Sequence, residues 1–400
     1  MSQNVFQPTS PHFLANPYPA YNILRETAPI FFYEPWQKWI LTRYEDINVL
    51  LRDKRLGRVL ENNPPPSSNP LEARFEASRL GSLLEIEPPD HTRIKDVFHQ
   101  TFTPKRVREL GIKIEGICNT LVDRLLARPE RRADLIEDFA QTIPVTVIAD
   151  LLGIPQEDRH SLVPWSKGII GWFEPERTRE MEELAARSAQ EFMEYLRFLI
   201  PQKRAHPSDD LMSAMIAVHD AEPERLLEHE LINNCILLLN AGHEAVVNVV
   251  GNGMYALLKY NHQWEKLKVS LGLIPSAVEE MMRFDTPLQF FERYTLEDLT
   301  YKGFDWRRGS GICLYYASAN RDPEVFADPE TFDITRDPNP HIAFGLGLHY
   351  CIGAPLARVE LQTSLKTLIE RLPNLHLVGE VPEYYPKNVF RYLKSLQVGY

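Results

Sequence analysis

Cysteine is scarce in this chain: four residues in 400, Cys118, Cys235, Cys313 and Cys351, far apart and with no CxxC pair. That spacing argues against a disulfide framework and against a zinc site. If cysteine does chemistry here, one residue does it alone. Basic charge is in deficit, 44 Lys and Arg against 55 Asp and Glu, a net charge of −11. Phosphate binding needs a basic face, so a nucleic-acid partner is not expected. Long apolar runs are missing too. The most apolar stretch, Cys235 to Val250, is interrupted by Asn240, His243, Glu244 and Asn248 and does not read as a membrane span. The start, Met1-Ser2-Gln3-Asn4-Val5, lacks the basic and apolar segments of a secretory signal. A soluble, cytoplasmic protein with no membrane partner is the expectation. There is no Gly/Ser linker, no block of like charge and no repeat, which favours a single domain over 1–400.

The early part of the chain reads as a helix over Ala20 to Thr27 and then a hairpin. Its strands are Ile30 to Tyr33 and Lys38 to Thr42, joined by Glu34-Pro35-Trp36-Gln37. A further helix runs from Arg43 through Leu51. Asn62 to Pro70, with four prolines and two serines, is irregular. It reads either as a surface loop or as a flap beside a pocket. From Asp90 to about Tyr260 apolar residues recur at helical spacing, in Leu110–Leu126, Leu135–Leu152, Arg177–Leu199 and Glu228–Tyr260. Strand-like segments return at Gln289–Tyr294 and Gly311–Tyr316, and a last helix spans Pro355–Leu372. The fold class is therefore mainly α with minor β. A β-rich part lies at about 20–60 and 284–400, and a helical part at about 90–283.

The most informative segment is Phe344-Gly345-Leu346-Gly347-Leu348-His349-Tyr350-Cys351-Ile352-Gly353, followed by Ala354-Pro355-Leu356-Ala357-Arg358. Cys351 lies just before a helix, where the dipole and free backbone N–H groups favour a thiolate. Gly345, Gly347 and Gly353 permit turns and close approach to a flat ligand. Phe344 can cover the sulfur, and a soft thiolate in such a loop suits haem iron. Through Phe344, Gly347, His349, Cys351 and Gly353 the segment resembles the cysteine loop of the cytochrome P-450 family. The likeness extends over about residues 10 to 400.

The resemblance implies the family's triangular helical prism with small sheets, haem held between two core helices and Cys351 as axial ligand. Glu280 and Arg283, three apart on a helical segment, resemble the family's glutamate–arginine pair, and Arg336 matches the arginine that completes that ion network. His91 and Lys95, on one helical face, match haem-propionate donors, with Lys95 where the family usually has arginine. Arg293 and His349 match two more, and the loop also assigns Phe344, Gly345, Gly353 and Ala357 to the cofactor.

On the oxygen side, Ala241-Gly242-His243-Glu244-Ala245-Val246 resembles the family's oxygen-binding groove, Gly242 leaving space above a flat cofactor. The acid is present as Glu244, but Ala245 stands where the family has threonine. Protons would then reach oxygen through water linked to Glu244, through a substrate hydroxyl, or peroxide would replace oxygen and electrons. Leu238, Ala241, Leu288, Phe290 and Trp172 are candidate pocket walls for an apolar substrate, each equally explicable as core. The implied cofactors are haem b and O2. NAD(P)H would contribute indirectly, through a ferredoxin and ferredoxin reductase, or a flavodoxin. Lys105, Arg106, Arg108 and Arg358 are candidate docking charges or plain solvated surface. A monooxygenase is the leading reading. A haem-thiolate peroxygenase and a non-catalytic haem sensor or carrier are the rivals.

Overall fold

The structure, a computed structural model, describes residues 2–400 and is mainly helical with small sheets. The chain folds as two compact units. One comprises the residues up to Leu56 with Gly111–Ile143 and Ala245–Tyr400, the other Gly57–Leu110 with Pro144–Glu244. The sequence suggests a β-rich and a helical part. In the structure, helices from the middle of the chain fold with the sheets.

In the first unit, β1 (Ile30–Tyr33) and β2 (Lys38–Leu41) form the expected hairpin. A 3-10 turn at Glu34–Trp36 closes it, with Gln37 at φ 51°. Two-residue β3 (Leu56–Gly57), β5 (Phe291–Thr295) and β8 (Gly311–Leu314) complete a five-stranded sheet of order β1-β2-β8-β5-β3, with β8 parallel to β2 and antiparallel to β5. The period-2 alternation of strand side chains gives this sheet two apolar faces. Phe31, Ile40 and Cys313 pack with Phe6, Tyr21, Phe290 and Tyr315, while Ile30, Leu41, Ile312 and Leu314 pack with Leu50 and Trp306. Three further short pieces pair locally. β6 (Leu299–Tyr301) pairs with β7 (Phe304–Trp306), and β10 (Gln397–Gly399) lies between β4 (Arg132–Asp134) and β9 (His376–Leu377). β4 falls between the expected helices Leu110–Leu126 and Leu135–Leu152. Its three residues carry no strand period of their own, and only the pairing with β10 defines them.

Asp285 joins the two ends of this unit. Its carboxylate accepts hydrogen bonds from Tyr18 Oη and Tyr384 Oη, both 2.7 Å, and from Arg391 Nε at 2.8 Å. The remaining Arg391 nitrogens donate to the carbonyls of Leu14 and Ala15. A chain terminus, normally free to fray, is thereby tied to the helix Ile274–Phe284.

In the second unit, the helix Arg179–Ala205 is set by Thr178, whose Oγ1 accepts from Met181 N. Acidic residues lie in its first turn and Lys203 and Arg204 in its last, as the helix dipole favours. Its apolar face carries Ala185, Ala189, Phe192, Leu196 and Leu199, and Trp165 stacks on Phe192 at 5.0 Å. The longest helix, Glu228–Lys259, runs unbroken from this unit into the other. Asn233 donates to the carbonyls of Ala77 and Leu80, and Asn234 exchanges bonds with Leu83 N and Gly81 O. The proline-rich segment at 62–70 is irregular up to the helix Pro70–Glu76 and is pinned at both ends. Asn62 bonds Glu87 and Asp90, and Ser67 bonds Glu72 and Glu76.

The Asp285→Ala variant would leave the buried Arg391 guanidinium uncompensated and is expected to cost about 3–5 kcal/mol. Chemical denaturation of both proteins checks this. A midpoint shift no larger than that of a surface substitution would show that the network carries no such weight.

Candidate functional site

Cys351 sits between a 3-10 turn, Gly347–His349, and the helix Ala354–Arg371, which has Pro355 in its first turn. Proline there loses no helical hydrogen bond and pre-sets the backbone. The approach is closed by Gly345 N–H to Ile342 O, 2.9 Å, and by Cys351 N–H to Phe344 O, 3.0 Å. Gly347 is required by geometry. It has φ +72°, and a Cβ there would lie 2.2 Å from the carbonyl oxygen of Leu51.

The four cysteines are free, but their surroundings differ. Cys118, Cys235 and Cys313 are buried, while Cys351 is partly open. Burial pushes Cys118 up to about 11 and Cys235 up to about 12, so both stay inert thiols. Burial also pushes the Cys351 thiol up, against hydrogen bonds from the backbone N–H groups of Gly353 and Ala354 and the charge of Arg358. Those same N–H groups favour a thiolate, and a metal ion deprotonates a thiol that coordinates it. There is room at the loop. A Cβ on Gly345 or Gly353 would meet nothing nearer than 3.5 Å and 3.9 Å. A single partly open cysteine with two backbone donors and space around it fits a haem iron.

A buried ion cluster holds this loop from behind. Arg283 pairs with both Glu280 oxygens, Nε at 2.7 Å and an NH2 nitrogen at 2.8 Å, and neither side chain has exposed surface. Arg336 approaches Glu280 at 3.3 Å, Asp333 N–H and Asn339 Nδ2 also donate to it, and Arg336 bonds the carbonyls of Ala327, Asp328 and Thr331. The cluster reaches the cysteine loop through Asn320. Its carbonyl accepts from Arg283, and its Oδ1 accepts from Ile342 N–H at 2.8 Å. The structure thus brings Glu280, Arg283 and Arg336 together.

A second support was not foreseen from the sequence. Arg358 grips Glu279 at 2.7 and 2.9 Å, and His341 Nε2 lies 3.0 Å from the same carboxylate. Burial opposes ionisation of Glu279, but these hydrogen bonds outweigh it and hold the group at about 2. Arg358, a candidate docking charge, is therefore committed to Glu279, and its guanidinium also lies 4.7 Å from the Phe344 ring centroid. The available signal was the doubled acid at Glu279-Glu280. Arg106, likewise a docking candidate, pairs with Asp209 at 2.9 Å.

The other candidates fall as follows. His91 is buried and Lys95 half-buried, one turn apart on the helix Asp90–Thr101. Arg293 is buried on β5, while His349 and Ala357 are half-buried. On the long helix, Leu238, Gly242 and Ala245 are partly open and Ala241 is exposed, a stripe at helical spacing that the helix leaves uncovered. A Cβ at Gly242 would lie 2.6 Å from Ile148 Cδ1, and the helix runs unbroken there. Leu288 is half-buried within a buried run, whereas Phe290 stacks on Tyr315 at 4.8 Å and Trp172 on Phe75 at 4.2 Å. Phe290 and Trp172 are thus held by core aromatic contacts.

Glu244 and His243 are both buried. Burial raises the Glu244 pKa, against the charge of Lys167, and lowers that of His243 to about 4. His243 Nδ1 lies 3.5 Å from Glu244 Oε1. His243 Nδ1 also lies 3.2 Å from Ser166 Oγ. Among the described residues no group of three or more His, Cys, Asp or Glu offers a separate metal site, and no helix is long and apolar enough to cross a membrane.

With this geometry in view, the comparisons assign the class. The family model described as Cytochrome P450 matches residues 41–383, and the chain belongs to that family. Its relatives include the polyketide biosynthesis cytochrome P450 PksS of Bacillus subtilis, 37% identical over 100% of this chain and 99% of that protein. The cytochrome P450 monooxygenase PikC of Streptomyces venezuelae is also 37% identical, over 96% and 91%. A solved neighbour is P450BioI in complex with an acyl carrier protein ligated to hexadec-9Z-enoic acid. Its TM-score is 0.91 at 34% identity, covering 98% of this chain and 100% of that one. The protein is a haem-thiolate monooxygenase of the bacterial type, a class that uses haem, O2 and electrons from redox partners.

His243 gives a test in pH. An unfolded histidine takes a proton near 6.5, while the buried one resists down to about 4. The stability it contributes is present above 6.5 and is lost as pH falls through that window, roughly 3 kcal/mol in all. Denaturant midpoints measured from pH 7 to 4 should therefore fall less steeply for His243→Gln than for the parent. Parallel curves would contradict the assignment.

Proposed function

We propose that this enzyme inserts one oxygen atom of O2 into an unactivated C–H or C=C bond of an apolar or mixed-polarity small molecule. Electrons come from a ferredoxin and its NAD(P)H-dependent reductase, or a flavodoxin, in the cytoplasm. The observation that carries this reading is Cys351, the one partly open cysteine, with the N–H groups of Gly353 and Ala354 at its sulfur. Bound there, haem b supplies the oxidative chemistry. The protein's part is ligation, charge, access and protons.

In this reading Cys351 ligates the iron, Phe344 shields the sulfur, and Gly345, Gly353 and Ala357 give the macrocycle its room. His91, Lys95, Arg293 and His349 neutralise the two propionates, since buried carboxylates need partners. Glu280, Arg283 and Arg336 hold the loop and take no part in the reaction. Leu238, Ala241 and Leu288, all incompletely covered, line the substrate's space. The polyketide-pathway relative and the neighbour carrying a hexadecenoyl chain support acyl chains as the first class to screen.

Ala245 offers no hydroxyl, so Glu244 holds the proton for the oxygen side, delivered through water or a substrate hydroxyl. Replacing Ala245 by Thr should change the fraction of reducing equivalents recovered as product. Turnover under 18O2 with ferredoxin, reductase and NAD(P)H should place one labelled oxygen in the product. Unchanged coupling in both Ala245→Thr and Glu244→Gln would remove Glu244 from the reaction. Full turnover on peroxide alone would instead make the enzyme a peroxygenase.

A further inference from the structure

Adjacent residues on a helix point about 100° apart, so Glu279 and Glu280 of the helix Ile274–Phe284 serve different neighbours. Glu280 is buried against Arg283 and Arg336. Glu279 is half-buried and turns to the cysteine loop and the helix behind it. It accepts from Arg358 Nε at 2.7 Å, from a second Arg358 nitrogen at 2.9 Å and from His341 Nε2 at 3.0 Å. The histidine tautomer is fixed by its other nitrogen. His341 Nδ1 accepts from Ala343 N–H at 3.2 Å, so the ring proton lies on Nε2 and is donated to Glu279. One carboxylate thus meets one guanidinium and a neutral imidazole, and the formal charges cancel.

The groups that Glu279 gathers are the ones that frame Phe344. The Arg358 guanidinium lies 4.7 Å from the centroid of that ring, and the His341 and Tyr350 rings lie 6.3 and 6.4 Å away. Tyr350 Oη is itself 3.5 Å from an Arg358 nitrogen. The influence of Arg358 passes beyond the ring, since its charge acts on Cys351. A bidentate pair fixes a guanidinium in direction as well as distance. Glu279 therefore decides where the Arg358 charge sits and how much of it the sulfur feels.

We propose that Glu279 is a positioning residue for electron transfer: by holding Arg358 and His341 around Phe344 and balancing the Arg358 charge, it sets the reduction potential of the haem that Cys351 ligates. This rests on the reading of Cys351 as the iron ligand. Reduction adds an electron next to the sulfur, which a nearby positive charge favours and a negative one opposes. Arg358 alone would ease reduction and weaken electron donation by the thiolate. Glu279 alone would do the reverse. The pair keeps the donation that O–O cleavage draws on, and the two acids of one helix divide the work: Glu280 fixes the fold behind the loop, Glu279 its charge.

The test measures the ferric/ferrous midpoint potential of the haem-loaded enzyme without substrate, at pH 7. In Glu279→Gln the uncompensated Arg358 should favour the ferrous form about tenfold, an upward shift of about 59 mV for one electron. In Arg358→Gln the remaining acid should produce a shift of similar size downward. The double variant should return to within threefold of the parent, as should Glu279→Asp, which keeps the charge. The iron–sulfur stretch in resonance Raman should weaken in Glu279→Gln and strengthen in Arg358→Gln. A purely structural role gives shifts of one sign that add in the double variant. Shifts of the same sign, or none, would overturn the proposal. Should Glu279→Gln alone fail to hold haem, the step from Arg358→Gln to the double variant decides, with a tenfold rise expected and no rise contradicting it. The carbon monoxide band separates the two readings: a parent without a thiolate-type band would sink the assignment of Cys351 and the proposal with it, whereas a normal band with unmoved potentials would sink the role of Glu279 alone.

Discussion

The site behind Cys351 depends on one buried ion pair. Glu280 and Arg283 have no exposed surface, and a pair so placed recovers its desolvation only when every remaining donor and acceptor is met. Here they are met by backbone. Arg283 spends its spare N–H groups on the carbonyls of Asn320, Pro329 and Thr331, and Glu280 receives Asp333 N–H. The irregular segment between β8 and the cysteine loop owes its path to these bonds. Through Asn320 and Ile342 the constraint reaches Gly345 and the cysteine loop.

The long helix Glu228–Lys259 is arranged differently. It combines a partly open apolar stripe, Leu238, Ala241 and Ala245, with the buried acid Glu244. Burial keeps Glu244 protonated to higher pH and keeps His243 neutral. Lys167, on a neighbouring helix, opposes the Glu244 shift and adds to that of His243.

Much of this was legible in the residues. Local signals were strong where a single element decides the outcome: the hairpin at Ile30–Leu41, the long helices and the glycine-spaced cysteine loop. The ion network was legible only through family likeness, because Glu280 and Arg283 alone are an ordinary helical pair and Arg336 lies far away in sequence. What could not be read came from tertiary pairing. β4 exists because β10 lies beside it, and Asp285 matters because Tyr18, Tyr384 and Arg391 arrive from both chain ends. Gly242 shows the limit of a motif: the close approach of Ile148, from a helix nearly a hundred residues earlier, has no local signal. Phe290 and Trp172, candidate pocket walls, stack on Tyr315 and Phe75, contacts that no local pattern announces.

The central claim is that Cys351 in this held loop is the thiolate ligand of a haem. The absorption spectrum of the purified protein, reduced with dithionite and exposed to carbon monoxide, tests it most directly. The account predicts a strongly red-shifted Soret band that is lost in Cys351→Ala. A band at the position of ordinary histidine-ligated haem, or no haem spectrum after reconstitution, would contradict it.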